Sequence, residues 1–362
     1  MASEKRLSFI DRFLTLWIFI AMAIGMSLAT WFPNSVEWIR KSEFGGTNLP
    51  IAIGLIFMMV PPLAKVNFLR IPKAFGRVDL ILYSLLLNWI VGPLLMFGLA
   101  FLFFPENPEY RVGLILIGIA RCIAMVLVWN DLADGDREVA AGLVALNSIF
   151  QLLLYGSLAY FFIGILPGTL GLTNSFIKVD YWDIASSVLI YLGIPFLLGW
   201  GIRTVSIRFK GEDWTTKELL PAISPITLVF LLLTIIFIFS LKGGSLLNIP
   251  FDVVKISVPL LIYFIFMFFL SFGLGVLIKA DYPRNVAVSF TAAGNNFELA
   301  IAVAIGTFGL ASGQAFVGIV GPLVEIPVLV FLVEIAKKLR DKFYLRKKKY
   351  ERSIRIYREF FS

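Results

Sequence analysis

SFTAAGNNFELAIAVAIG, running from Ser289 to Gly306, is apolar enough to lie in a bilayer but carries a Gly-Asn-Asn step, Gly294 to Asn296, in its middle. As a helix it is long enough to cross roughly 30 Å of hydrocarbon. In a lipid-facing helix that step would be a poor helix former and would leave polar groups in hydrocarbon. It makes sense where two half-helices meet over a polar cavity, their free backbone groups turned toward a bound molecule. The plainer reading is a helix–helix contact satisfied by asparagine hydrogen bonds.

A second stretch answers the first. GIARCIAMVLVWN, Gly118 to Asn130, has small residues and Arg-Cys at the corresponding place. Aligning Cys122 with Glu298 sets an offset of 176 residues. Hydrophobic segments recur along the whole chain, and ten spans are expected. The first five are Leu14 to Phe32, Leu49 to Ala64, Leu80 to Phe104, Val112 to Trp129 and Val139 to Leu166. The second five are Ile184 to Ile202, Ile223 to Leu241, Lys255 to Ile278, Val286 to Gly309 and Gln314 to Ile335. The single offset carries each of the first five starts to within about six residues of its counterpart, a match that evenly spaced helices could also produce. A unit of five spans begins and ends on opposite sides of the membrane, so its repeat enters inverted. Inverted repeats characterise secondary transporters, and interrupted helices in matching positions of the two halves point to the binding site.

The expected fold is therefore an all-α polytopic membrane protein of two inverted five-helix repeats, with broken fourth and ninth helices. Residues 1–166 form the first repeat, 167–336 the second, and 337–362 a basic tail. Composition agrees: of 362 residues, 59% are hydrophobic and 15% charged, against about 25% charge in soluble domains. The period-two alternation of barrel strands is not seen. The net charge of +8 is concentrated at one end, with 11 of the 32 lysines and arginines between Lys337 and Arg358. That distribution fits a tail lying against anionic lipid better than a nucleic-acid contact, and nucleic acid is not an expected partner. The N-terminus, the even-numbered loops and the tail hold 25 basic residues against 6 in the odd-numbered loops, so both termini are expected in the cytoplasm. The stretch after Lys5, Arg6 and Arg12 exceeds a cleavable signal core and reads as a first transmembrane helix.

The chain has no histidine and one cysteine. Histidine-based catalytic pairs and imidazole–zinc sites are excluded, no intrachain disulfide can form, and proton chemistry falls to carboxylates. Three charges lie well inside spans, Arg121, Glu298 and Glu325. Each costs about 2.5–3.5 kcal/mol at mid-bilayer and is a functional candidate, whereas Lys65 and Glu334 lie near span ends, where snorkelling suffices. Cys122 alone would read as a small buried hydrophobe. In the proposed site it becomes a candidate ligand for a soft, thiophilic species, with Arg121 a nearby cation. Glu325 lies in GPLVEIP between Pro322 and Pro327, which are expected to distort the tenth span. Either it is held by a neighbouring helix or, in low dielectric, it takes and releases protons near neutrality. Pro61-Pro62 is expected to break the second span, and GILPG, Gly164 to Gly168, is a close-packing pattern. Nothing calls for a cofactor or a particular oligomer.

Three motifs in order, ARCIAMVLVWN (Ala120 to Asn130), NNFELAIAVAIG (Asn295 to Gly306) and GPLVEIPVL (Gly321 to Leu329), resemble those of the arsenical-resistance arsenite permeases. These belong to the bile acid:sodium symporter superfamily, and the resemblance covers nearly the whole chain. It implies a panel domain and a core domain, with the broken fourth and ninth helices crossing in the core. It implies efflux of arsenite, and in some members antimonite, in exchange for protons. The arsenite-reactive cysteine of that family falls on Cys122, its asparagine and glutamate of the ninth span on Asn296 and Glu298, and its tenth-span glutamate on Glu325. Substrate contacts are thus expected from Cys122, Asn295, Asn296, Glu298 and Arg121, proton coupling from Glu298 and Glu325, and As(III) ligation from Cys122. Gly294 departs from the pattern, which has a serine before the asparagine pair.

The chemistry agrees with the resemblance. Arsenite at neutral pH is mostly an uncharged trihydroxide with a soft centre, and one thiol can exchange with one hydroxide and still let go. A sodium-coupled organic-anion symporter on the same fold is the main alternative, and it would be indifferent to Cys122. An intramembrane protease is disfavoured because ADGD, Ala133 to Asp136, lacks the first glycine of GxGD.

Overall fold

The computed structural model describes residues 13–32, 43–44, 47–68, 78–172, 179–241 and 249–345. The basic stretch beyond residue 345 and the N-terminal Lys5, Arg6 and Arg12 lie outside them. The described chain is helical, apart from a two-residue antiparallel pairing of β1 (Glu43–Phe44) with β2 (Thr47–Asn48).

The helices follow the hydrophobic segments. α1 is Leu14–Trp31, α2 Leu49–Lys65 and α3 Val78–Phe103. The fourth segment is split into α4 (Pro108–Ile119) and α5 (Met125–Leu132), and α6 runs Arg137–Thr169. Residues 181–210 and 212–241 form α7 and α8, joined through Gly211, whose φ of 86° and ψ of 166° turn the chain between them. α9 is Ile249–Leu277, the ninth segment is split into α10 (Tyr282–Ala293) and α11 (Phe297–Phe308), and α12 is Gly313–Arg340. The pieces of the split segments have 12, 8, 12 and 12 residues. At 1.5 Å per residue a 12-residue helix reaches about 18 Å, so only a pair end to end crosses a bilayer.

Prolines leave a local signature. Wide π-type turns at Leu87–Val91, Phe161–Ile165, Leu189–Gly193 and Thr215–Leu219 each end two residues before a proline: Pro93, Pro167, Pro195 and Pro221. A proline ring clashes with the carbonyl four residues back and cannot donate to it, and a wider turn relieves both problems. Pro61-Pro62, expected to break the second span, does not: both lie near the end of a continuous α2. α12 likewise runs unbroken through Pro322 and Pro327.

Two groups of helices result. α1, α2, α7 and α8 pack on one another, while α3 to α6 and α9 to α12 form a second group. Their outward faces carry apolar residues such as Leu82, Ile90, Leu197 and Phe266, as a surface solvated by lipid requires. Connections that sequence counting puts on one side meet at one end. There Arg340 pairs with Asp134 at 3.0 Å, Arg284 lies 3.9 Å from Asp136, and the Tyr282 hydroxyl donates to Ala133 O at 2.8 Å. At the other end the Tyr110 hydroxyl donates to Asp252 at 2.9 Å, and Glu109 accepts from the Gly313 N–H at 2.8 Å.

Candidate functional site

The two breaks cross. Residues 120–124 between α4 and α5, and 294–296 between α10 and α11, run antiparallel and exchange backbone bonds as a single β-bridge between Arg121 and Asn295. Cys122 N–H donates to Gly294 O at 3.4 Å, and Asn296 N–H to Ala120 O at 3.2 Å. Unwound backbone inside a membrane is stable only where such partners are supplied.

The C-terminal end of α4 is satisfied by side chains together with two backbone N–H groups, Ala120 to Ile117 O and Asn296 to Ala120 O. The Tyr155 hydroxyl donates to Leu116 O at 2.9 Å. Asn295 Nδ2 donates to Ile117 O at 2.7 Å and to Ala120 O at 3.0 Å, and the Arg121 guanidinium donates to Gly118 O. Carbonyls at a helix end lack the ordinary i+4 partner, and a cation there also meets the negative end of the helix dipole. Arg121 is fully buried, donates to Tyr263 Oη at 3.0 Å and, among the described residues, makes no ion pair. Its side chain does not line the cleft described below, so of the expected substrate contacts it is the one turned elsewhere.

The N-terminal ends of α5 and α11 are served by the breaks themselves. Cys122 Sγ accepts from Val126 N–H at 3.3 Å, and Asn296 Oδ1 accepts from Leu299 N–H at 3.1 Å. Both helix starts border a cleft of about 30 Å³ lined by Cys122, Asn295, Asn296, Glu298 and Glu325. Leu14, Pro62 and Leu231 close it from the first helix group. The cleft thus lies between the two groups, at the level of the two breaks. Toward one end the groups close on each other. Phe239 of α8 lies against Phe316 of α12 with centroids 5.7 Å apart and ring planes tilted by 60°, and Ser187 of α7 accepts from the Thr307 hydroxyl of α11 at 3.1 Å.

The two glutamates differ in their ties. Glu325 is buried, and its Oε1 accepts from the Asn295 N–H at 3.2 Å, so α12 holds the second break directly. Glu298 is half-buried in the first turn of α11, where the positive end of a helix favours a carboxylate. Asn295 Oδ1 and Asn296 Nδ2 are buried with no protein partner among the described residues, leaving one acceptor and one donor for something else. Two helix N-termini, a thiol and two carboxylates therefore surround a space for about two water molecules, the size of a small oxygen-rich solute. No group of three or more acidic, histidine or cysteine side chains suited to a metal ion occurs among the described residues.

Residues 52–249 match the Sodium Bile acid symporter family. Over 343 residues the chain is 50% identical to an arsenical-resistance protein Acr3 of Corynebacterium glutamicum, covering 95% of this chain and 93% of that one. The chain belongs to the Acr3 arsenical-resistance branch of that family. A second Acr3 protein, from Alkaliphilus metalliredigens, is 34% identical over 94% of this chain and 95% of its own. An uncharacterized transporter of Synechocystis sp. is 35% identical over 92% and 89%. Family membership and the apolar helices together make the protein a multi-pass membrane transporter, not an enzyme.

Within this Acr3 chain the sequence missed two site features. One is the register of the breaks: α4 and α10 end 174 residues apart, at Ile119 and Ala293, which pairs Cys122 with Asn296 rather than with Glu298. The other is the wall supplied by Leu14, Pro62 and Leu231, ordinary apolar residues whose sequence carries no sign of a site.

Proposed function

We propose that this protein exports arsenite from the cytoplasm in exchange for protons. Ten transmembrane helices in two inverted five-helix repeats, residues 1–166 and 167–336, carry it, with both termini cytoplasmic and the tail 337–362 against anionic lipid. The observation that carries the reading is the chain's sole thiol, Cys122, facing the same small cleft as Glu298 and Glu325.

The chemistry balances as a ligand exchange. The Cys122 sulfur bonds to arsenic, one As–O bond breaks, and the thiol proton leaves with the hydroxide as water. Asn295 Oδ1 and Asn296 Nδ2, buried without a protein partner among the described residues, would bond the two hydroxyls that stay on arsenic. Water reverses the exchange at release, and a single thiol lets the metalloid go. A carboxylate beside the site couples the fluxes: its protonation from outside favours release, and its deprotonation inside permits reloading. The two groups of helices move against each other around the fixed cleft, as in other inverted-repeat carriers. The contacts of Phe239 with Phe316 and of Ser187 with Thr307 support a state closed on the side that this reading puts outside the cell. A cleft this small argues against a large organic anion carried with sodium, the activity that the wider family name describes.

Everted membrane vesicles holding the protein should accumulate arsenite when an inside-acid gradient is imposed, and should stop when the gradient is collapsed. Accumulation that follows sodium and ignores the proton gradient would replace this reading with the symporter.

A further inference from the structure

We propose that Arg121 is a tethered cation: its guanidinium permanently fills the place at the carbonyl end of α4 that a carrier of this build would otherwise fill with a sodium ion from solution. This role rests on the proton-driven reading of transport and adds how the crossing dispenses with sodium.

Of the three charges deep in the spans, Arg121 is the one that the exchange leaves without a task. It is fully buried, makes no ion pair among the described residues and does not line the cleft. Its guanidinium meets neutral oxygens instead: Gly118 O, and Tyr263 Oη of α9 at 3.0 Å. Gly92 of α3 makes the room. A Cβ there would stand 2.9 Å from Arg121 Nη1, 2.8 Å from Tyr263 Oη and 3.2 Å from Leu87 O. The head of the side chain thus sits in a niche bordered by oxygens of α3, α4 and α9.

Neutral oxygens at the negative end of an interrupted helix are the setting in which inverted-repeat carriers hold a coupling cation. The neighbouring carbonyls Ile117 O and Ala120 O take neutral N–H donors, so Gly118 O is where the α4 end meets a full positive charge. A buried charge is stable only where fixed dipoles replace its water, and this niche supplies them. A guanidinium keeps its charge throughout the physiological range of pH, and a covalent tether keeps it from leaving. The α4 end is therefore compensated at every step of the cycle with no ion drawn from solution. The wider family is described as a sodium symporter family, and in this chain the positive charge comes with the sequence.

Arg121→Ala and Arg121→Gln take the charge out of the niche and leave its oxygens in place. The full-length variants, heated in detergent in sodium chloride or in choline chloride of equal ionic strength, should melt higher in sodium. The shift should grow with concentration and saturate, as binding to the folded state requires; equal melting in the two salts overturns the proposal. The unmodified protein and Arg121→Lys, which keep a tethered charge, should melt alike in both salts, and a saturating sodium shift in the unmodified protein overturns it. In proteoliposomes without sodium, arsenite uptake driven by a pH gradient should fall about tenfold or more in the two neutral variants, the worth of a hydrogen bond from a charged donor. Sodium on both sides should restore it severalfold. Failure of both neutral variants in sodium and choline alike, in transport or in folding, overturns the proposal. If the unmodified protein moves no arsenite under a pH gradient, the transport reading has failed instead, and the melting shift of the neutral variants still decides the role of Arg121.

Discussion

The break between α4 and α5 spans five residues, Ala120 to Ala124, whereas that between α10 and α11 spans three, Gly294 to Asn296. Both do the same structural work, since Arg121 and Asn295 each reach back to the carbonyl end of α4, and Cys122 and Asn296 each serve the start of the next helix. The longer break supplies a soft ligand and apolar wall from Cys122 to Ala124. The shorter is all hydrogen-bonding capacity, followed at once by Glu298. Under the proposed exchange the two breaks would divide the chemistry, the longer gripping the cargo and the shorter handling charge.

That division can be broken most decisively at the thiol. Cys122→Ser keeps size and shape and should insert normally, yet arsenite export should fall to the level of membranes without the protein. Full export by a well-expressed serine variant would mean that the longer break is only scaffold.

The charge-handling half is tested by Glu298→Gln, which should abolish accumulation driven by a pH gradient in proteoliposomes while leaving the protein folded. Glu325→Gln keeps an oxygen for the Asn295 N–H and should slow transport less. Wild-type coupling in both single variants and the double variant would mean that neither carboxylate carries the proton and that the proposed coupling is wrong.

The smallest effects separate the two asparagines. Asn295→Ala removes two buried side-chain hydrogen bonds, to Ile117 O and Ala120 O, each worth about 0.5–1.5 kcal/mol, while both carbonyls keep a backbone N–H partner. Asn296→Ala removes a helix cap, a loss of about 1 kcal/mol. Thermal unfolding in detergent should rank them in that order, and the reverse order would place the structural burden on the wrong residue.

Much of this was legible in the sequence because hydrocarbon is an unforgiving solvent. A glycine and two asparagines within an apolar run have few uses, so the break at Gly294 to Asn296 is visible directly; the pairing of two such runs points to the site, and their crossing is what the family resemblance implies. Register was not legible to better than two residues, because Cys122 and Glu298 were matched by chemical prominence while helices end where their carbonyls find partners. Arg121 was placed at the substrate for a similar reason: sequence gives a charge but not its direction, and this one turns to Gly118 O and Tyr263. Pro61-Pro62 looked like a break although a proline pair near the last turn of a helix leaves most of its hydrogen bonds intact. The wide turns had a signal in Pro93, Pro167, Pro195 and Pro221 that spacing alone did not decode.

Phe239 and Phe316, where the two helix groups meet beyond the cleft, give a proton nothing to hop along. Hydrophobic constrictions of this kind dewet, and a dewetted stretch interrupts the water chain on which proton conduction depends. A carrier powered by a proton gradient shares its membrane with every other process that draws on that gradient. Under the proposed exchange, two phenyl rings at that end would keep an unloaded copy from acting as a leak, so that its idling would not discharge the cell.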